Sequence, residues 1–277
     1  AAAGELVEEA ARSGAELVVL PEYFSVAGSP AVLRAAAEHL EGPTISWASD
    51  LARRHGIGLV AGSFPERPAP GAAADGRVFN TSCLIGPAGS VDAVYRKIHL
   101  FDADIEGTAL RESATIAPGT SLCIHPIRGG DGAPPAPVLG LSICYDLRFP
   151  ELYRIMALSG ATVVAVPAAF TAATGPAHWE VLLRARAIEN GIFVIAAGQV
   201  GELPPGMPAC HGHSMIVDPW GSVMAERLEQ SPGVVLADLD PDRLRKIRHQ
   251  VPVLANRRPS TYRWPDDSTR GASEPGR

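Results

Sequence analysis

A chain of 277 residues with 46% hydrophobic and 19% charged composition can bury a large core as one domain or as two. Its formal charge of -6 and the lack of a Lys/Arg-rich run argue against a nucleic-acid partner and leave small molecules as the expected ligand class. Cys83, Cys123, Cys144 and Cys210 are widely separated, with no C-x-x-C pair and no His cluster at zinc spacing, so no metal centre is expected and a reducing, cytoplasmic setting fits best.

The opening residues carry Glu5, Glu8 and Glu9 where a secretory signal would carry basic charge, and no apolar run reaches bilayer-spanning length. Neither a signal nor a membrane anchor is expected. Residues 1–13 place Leu6, Val7, Ala10 and Ala11 on one helical face, and Gly14 stops that helix before a buried strand, Glu16 to Leu20. Gly42-Pro43 opens a second amphipathic helix through Ile45, Trp47 and Leu51, which ends near His55-Gly56 before a strand from Ile57 to Ser63. Residues 66–77, rich in Pro, Ala and Gly, read as a surface loop. Phe79–Ile85 and Val91–Tyr95 flank Gly86-Pro-Ala-Gly89, a hairpin signal.

The second half repeats this grammar: strand Val138–Ile143, helix Pro150–Leu158, strand Thr162–Val166, helix Ala177–Asn190, strand Ile192–Ala197, and a closing hairpin around Pro219-Trp-Gly221. Gly14-Ala-Glu-Leu-Val-Val-Leu-Pro21-Glu-Tyr-Phe24 aligns with Gly160-Ala-Thr-Val-Val-Ala-Val-Pro167-Ala-Ala-Phe170, a weak internal symmetry. Near-continuously apolar strands need cover on both faces, so two stacked sheets with helices outside would satisfy them. The symmetry is broken at Glu22, which faces Ala168 in the other copy. From Arg257 the tail lacks periodicity and is expected to pack as an arm or stay mobile.

Cys144 ends the apolar strand and precedes a helix, a strand-to-helix turn that exposes a nucleophile and sets backbone N–H groups beside it. Taken alone, a buried structural cysteine is the commoner fate. Glu22 also lies at a strand end, where α/β sheets place their ligands, and a carboxylate beside a low-dielectric core can act as a base near neutrality. As an isolated glutamate it reads equally well as a helix cap or a solvated acid. Lys97 closes the hairpin strand, with Tyr95, Lys97 and His99 pointing one way and Arg96 and Ile98 the other. A lysine near a thiol lowers the thiol's pKa and can hold an oxyanion, although a lone lysine is usually a surface group.

Together, Leu-Pro-Glu22-Tyr-Phe, Tyr-Arg-Lys97-Ile-His-Leu and Ser-Ile-Cys144-Tyr-Asp-Leu-Arg-Phe-Pro-Glu151, in that order, resemble the nitrilase superfamily of carbon–nitrogen hydrolases. The resemblance continues through Thr174-Gly-Pro-Ala-His-Trp-Glu180, Arg184–Glu189, Gly212–Gly221 and Val253–Arg258, and so covers nearly the whole chain. It implies a four-layer α-β-β-α sandwich as a single domain over 1–277, with a C-terminal arm from about 257, and a homo-oligomer. It carries over Glu22 as base, Lys97 as oxyanion stabiliser, Cys144 as nucleophile and Glu112 as an additional positioning glutamate, with no metal or organic cofactor. Family members usually begin with a further apolar strand, so either a segment precedes residue 1 or one sheet has a strand fewer.

The implied reaction is hydrolysis of a small carboxamide through a cysteine thioester, with the Tyr145 backbone N–H helping Lys97 hold the oxyanion. Tyr145-Asp146 after the cysteine looks like the amidase branches, not the Trp-Glu of true nitrilases. Arg184–Glu189 and Gly212–Gly221 look closest to the deaminated-glutathione amidases, which release ammonia from an α-ketoglutaramyl amide. The ω-amidases are the near alternative and the N-carbamoyl amino acid hydrolases a more distant one. Arg148 and His178 are candidate contacts for a substrate carboxylate, with Tyr145 and Thr174 also expected to bind substrate, although a His-Trp pair opening a helix also suits packing and capping. A catalytically inert binding or scaffold protein of the same fold is the contrasting class, disfavoured by the intact Glu22, Lys97, Glu112 and Cys144.

Overall fold

The computed structural model describes residues 2–69, 75–105, 107–127, 136–201 and 208–262. Helix α1 (Ala2–Arg12) leads into β1 (Leu17–Val19), followed by α2 (Pro30–Ala35), α3 (Pro43–His55), β2 (Gly58–Val60), β3 (Phe64–Glu66), β4 (Phe79–Ile85) and β5 (Val91–Arg96). A small hairpin, β6 (Asp102–Ile105) and β7 (Thr108–Arg111), precedes β8 (Cys123–Pro126) and β9 (Val138–Leu141). The chain continues through α4 (Pro150–Leu158), β10 (Val163–Ala168), α5 (Gly175–Asn190), β11 (Phe193–Gly198), β12 (Met215–Val217), β13 (Val223–Glu226) and α6 (Pro241–Gln250).

One sheet has the order β1-β2-β4-β3, with β5 also paired to β4; the other has the order β13-β12-β11-β10-β9-β8. Parallel pairs (β1 with β2, and β9, β10 and β11 together) sit beside antiparallel ones, so both sheets are mixed. The expected elements are present, with shorter strands at β1 and β2. β2 stops early because the chain turns at Gly62, where φ is 45°. A side chain there would collide with the Pro21 carbonyl and the Phe24 ring, so glycine lets this turn press against the end of β1. The chain then re-enters the sheet as β3, an element that Pro65 had hidden from the sequence pattern.

α1 and α3 cover the outer face of the first sheet around Val7, Ile45, Leu51, Leu59 and Phe64. α4 and α5 cover the second sheet, and the central cluster runs from Val60, Leu84 and Tyr95 of the first sheet to Leu139, Leu141, Val164 and Val166 of the second. The layers are therefore helix, sheet, sheet, helix. Burying a Val, Leu or Ile side chain contributes about 1.5–3 kcal/mol, and Val60, Leu84, Leu139, Leu141, Val164 and Val166 are all buried within the sheets. β1 is the edge of its sheet, and beside it a groove of about 1050 Å³ runs between α1, β11 and residues 232–239. Residues Arg257–Tyr262 hold a 3-10 turn at Pro259–Thr261, while 263–277 of the expected arm and 70–74 of the expected loop lie outside the described residues. Among the described residues no helix is long and apolar enough to cross a membrane.

Candidate active site

Three strand ends meet between the sheets. β1 passes through Leu20 and Pro21 to Glu22, β5 ends one residue before Lys97, and β9 leads through Ser142 and Ile143 to Cys144. Glu112 arrives from the hairpin β6–β7, at the start of a 3-10 turn over Glu112–Ala114. Glu22 and Lys97 are each 2% exposed, and Cys144 is 8% exposed.

Lys97 is the hub. Its Nζ donates to Glu22 Oε1 at 3.0 Å and to Glu112 Oε1 and Oε2 at 3.0 and 2.9 Å. The remaining lone pairs of both carboxylates are also used. Asn80 Nδ2 donates to Glu22 Oε1 at 2.8 Å and to Glu112 Oε1 at 3.4 Å. The Ala169 N–H donates to Glu22 Oε2 at 2.8 Å, and the Phe101 N–H to Glu112 Oε2 at 2.6 Å. A buried charge needs such full satisfaction, since each ion loses several kcal/mol of hydration on burial, roughly.

Electrostatics follow from two carboxylates sharing one ammonium. Burial works to lower the Lys97 pKa, but the charges of Glu112 and Glu22 outweigh it and keep the ammonium protonated well beyond its ordinary range. Burial raises Glu112, with Lys97 opposing and Glu22 adding to the rise. Burial likewise pushes the Cys144 thiol well up, Glu22 adds to this by charge and by hydrogen bonding, and Lys97 pulls against both. The expectation that Lys97 lowers the thiol thus holds for its own contribution but not for the sum, which is a raised thiol.

Cys144 itself has φ of 46°, the left-handed region that a non-glycine residue occupies only under constraint. The constraint is Asp146, fully buried. Its Oδ2 accepts from the Ile143 N–H at 2.8 Å and the Tyr95 hydroxyl at 2.7 Å. Its Oδ1 accepts from the His99 N–H at 3.1 Å and lies 2.7 Å from His99 Nδ1. Tyr95 and His99 flank Lys97 on the same side of the strand, as alternation predicted, while Arg96 turns away to pair with Glu66. One aspartate therefore joins the cysteine turn of one sheet to the lysine strand of the other.

Aromatic rings continue the wall outward. Phe101 lies 4.9 Å from Tyr145, Tyr145 lies 5.3 Å from Phe149, and Phe149 stacks on His99 at 3.6 Å. Arg148 sits over Phe170 and Tyr145 at 5.1 and 5.9 Å, with Nη1 3.1 Å from His178 Nδ1 and Nη2 donating to Thr174 Oγ1 at 3.4 Å. The four expected substrate contacts, Tyr145, Arg148, Thr174 and His178, are thus neighbours. Among the described residues Arg148 has no acidic partner within ion-pair distance. Packing in this helix is done by Trp179, which is fully buried and donates Nε1–H to the His213 carbonyl at 2.7 Å, while His178 stays exposed. Sequence reading missed Asn80, Tyr23 and Asp146; Asn80 alone gave a signal, as an amide inside the apolar strand β4.

Residues 1–249 match the family model for carbon-nitrogen hydrolases. Deaminated glutathione amidase from Synechocystis is 44% identical over 256 residues, 92% of this chain and 90% of that protein. An omega-amidase of Danio rerio is 38% identical, covering 93% and 88%. Among solved structures, Saccharomyces cerevisiae Nit3, a member of branch 10 of the nitrilase superfamily, superposes with a TM-score of 0.78 at 31% identity, covering 91% of this chain and 87% of that one. A glutamate variant of the amidase from Nesterenkonia sp. AN1, with the acetamide moiety of fluoroacetamide added covalently at its active-site cysteine, gives 0.71 at 28% identity, covering 94% and 87%. Fold, ordered strand ends and these likenesses lead to one conclusion: this chain belongs to the carbon-nitrogen hydrolase family and is a hydrolase of non-peptide carbon–nitrogen bonds.

Proposed function

We propose that the chain releases ammonia from deaminated glutathione, with Cys144 as nucleophile, Glu22 as base, Lys97 as oxyanion contact and Glu112 as the carboxylate that fixes Lys97. The observation that carries the reaction is that the strand ends of Glu22, Lys97 and Cys144 meet, with the Glu22 carboxylate fully hydrogen-bonded and the Lys97 ammonium locked between Glu22 and Glu112. Glu22 takes the thiol proton as Cys144 Sγ bonds to the amide carbon, and the carbonyl electron pair moves to oxygen beside Lys97 and the Tyr145 N–H. Collapse breaks the C–N bond as Glu22 passes its proton to nitrogen, and ammonia leaves. Water then adds to the thioester with Glu22 again as base, and C–S cleavage frees the acid and restores the thiol.

For the substrate, the supporting feature is Arg148, a guanidinium at the aromatic rim with no acidic partner among the described residues and with Thr174 and His178 beside it. A carboxylate at the far end of an amide substrate would satisfy it, and binding energy gained there can orient the scissile group. The greater likeness to a deaminated glutathione amidase than to an omega-amidase favours the longer substrate. Ammonia-release kinetics on deaminated glutathione and α-ketoglutaramate test this directly: the former is expected to have the higher kcat/KM, and the reverse order moves the chain to the ω-amidases. A homo-oligomer belongs to the same reading, supported by Ile155 and Leu158 on α4 and Val181 and Ile188 on α5, which stay exposed on the outer helical layer. Light scattering in solution is expected to give more than one copy.

A further inference from the structure

The hydroxyl of Tyr23 is buried and has no hydrogen-bond partner among the described residues. Unpaired buried hydroxyls are rare and costly, and one in a functional region calls for a partner that arrives later. Its place in the fold is equally specific. Tyr23 follows Glu22 directly, and its backbone takes a left-handed φ of 53°, a conformation that costs energy in a residue with a bulky side chain. The turn is pinned by the Tyr23 N–H, which donates to the Oγ of buried Ser63 at 3.0 Å, and by the close approach of Gly62 to the Pro21 carbonyl.

The charged groups that bear on the phenol are Glu112, Glu22 and Lys97, followed by Cys144. Burial and the two carboxylates keep the hydroxyl protonated, so it is both a donor and an acceptor at any working pH. Neither carboxylate lacks partners: Glu22 is held by Lys97, Asn80 and Ala169, and Glu112 by Lys97, Asn80 and Phe101. The group still needing contacts is the entering carboxamide. Its oxygen has Lys97 and the Tyr145 N–H in the mechanism above, whereas its nitrogen brings two N–H donors and has only Glu22.

We propose that Tyr23 is a further catalytic residue, whose hydroxyl accepts an N–H of the scissile carboxamide and then holds the water that replaces the departed ammonia. The proposal rests on the tetrad reading above. It also accounts for the strained turn: without it, the chain would hold a costly backbone and an unpaired hydroxyl side by side to no effect.

The test is Tyr23→Phe, which deletes one oxygen and keeps the ring. Three readouts are compared with wild type: kcat/KM for deaminated glutathione and α-ketoglutaramate, the Tm of the unliganded protein, and the pH profile of Cys144 labelling by methyl methanethiosulfonate, a reagent without an amide. The expected result is a loss of kcat/KM on both amides of roughly tenfold to a hundredfold, the range of one hydrogen bond made to a reacting group. Tm is expected to be unchanged or higher, because the deleted hydroxyl had no partner to lose, and the labelling profile to stay in place. Wild-type kcat/KM in the variant would overturn the proposal. So would a fall in Tm that accounts for the lost activity, or a shifted labelling profile, which would make Tyr23 a tuner of the thiol and not a substrate contact. Wild-type protein that releases ammonia from neither amide would sink the underlying reading instead.

Discussion

The two segments that share a sequence pattern, Gly14–Phe24 and Gly160–Phe170, are also structural counterparts. β1 runs through α3 to its parallel neighbour β2, and β10 runs through α5 to its parallel neighbour β11. Phe24 stacks on Trp47 of α3 at 5.5 Å, and Phe170 packs on Trp179 of α5 at 5.0 Å. The difference lies at their ends: the first copy supplies a carboxylate and a phenol, Glu22 and Tyr23, where the second supplies Ala168 and Ala169. The second copy still takes part, because the Ala169 N–H binds Glu22 Oε2 at 2.8 Å. One copy thus supplies the carboxylate and the other the backbone N–H that holds it.

The largest expected effect comes from erasing that difference. Glu22→Gln keeps the size and one acceptor but removes the carboxylate proposed as base, and ammonia release should fall by about 10²–10⁴, the range for general acid–base catalysis. The carboxylate and its hydrogen bond both raise the Cys144 thiol, so in this variant the thiol should ionise at lower pH, which a labelling profile reads. A variant with normal turnover would reduce Glu22 to a brace. Next, Lys97→Met leaves Glu22 and Glu112 facing each other without a cation, and should cost about 3–5 kcal/mol in denaturant unfolding along with activity.

Glu112 gives a pH-dependent effect of known sign. Its folded-state pKa is raised above 4.5, so the native state binds that proton more tightly than the unfolded chain does. Its contribution is therefore most favourable below 4.5 and is lost as pH rises through the folded value. The stability of wild type relative to Glu112→Gln should fall across that window, and denaturant titrations at several pH values should reveal the slope.

The three strand ends were legible in sequence because an apolar run followed by a lone polar residue marks where a sheet stops and a side chain becomes free. Glu112 was legible through resemblance alone, since its hairpin carries no apolar pattern: Asp102–Ile105 alternates between exposed and half-buried positions. The net state of the thiol escaped because it is a sum over groups far apart in the chain, and Lys97 was weighed without Glu22 and Glu112 beside it. Tyr23 and Asp146 escaped for a similar reason, as a residue's partners across two sheets leave no trace in its own neighbourhood. α2 and α6 were also missed. α2 has six residues, and α6 buries Leu244 and Ile247 on an otherwise charged surface.

The smallest effect returns to the paired tryptophans. Trp179 is fully buried with its N–H satisfied, whereas Trp47 is half-buried and makes no such bond among the described residues. Trp179→Phe should cost about 2 kcal/mol and Trp47→Phe less than about 1 kcal/mol, measured by the shift in unfolding midpoint. Equal costs would mean that the second copy is no more tightly built than the first.

Asp146 has a consequence for motion. Sliding one sheet past the other would separate Lys97 from Cys144, but such a slip must first break the bonds that Asp146 makes to Ile143, Tyr95 and His99. The joint between the layers is thus tighter beside the reacting atoms than a purely apolar interface would make it. Amide protons of Ile143 and His99 should then exchange with solvent only when the sandwich opens as a whole, making these two positions gauges of global unfolding even though they sit next to Cys144 and Lys97.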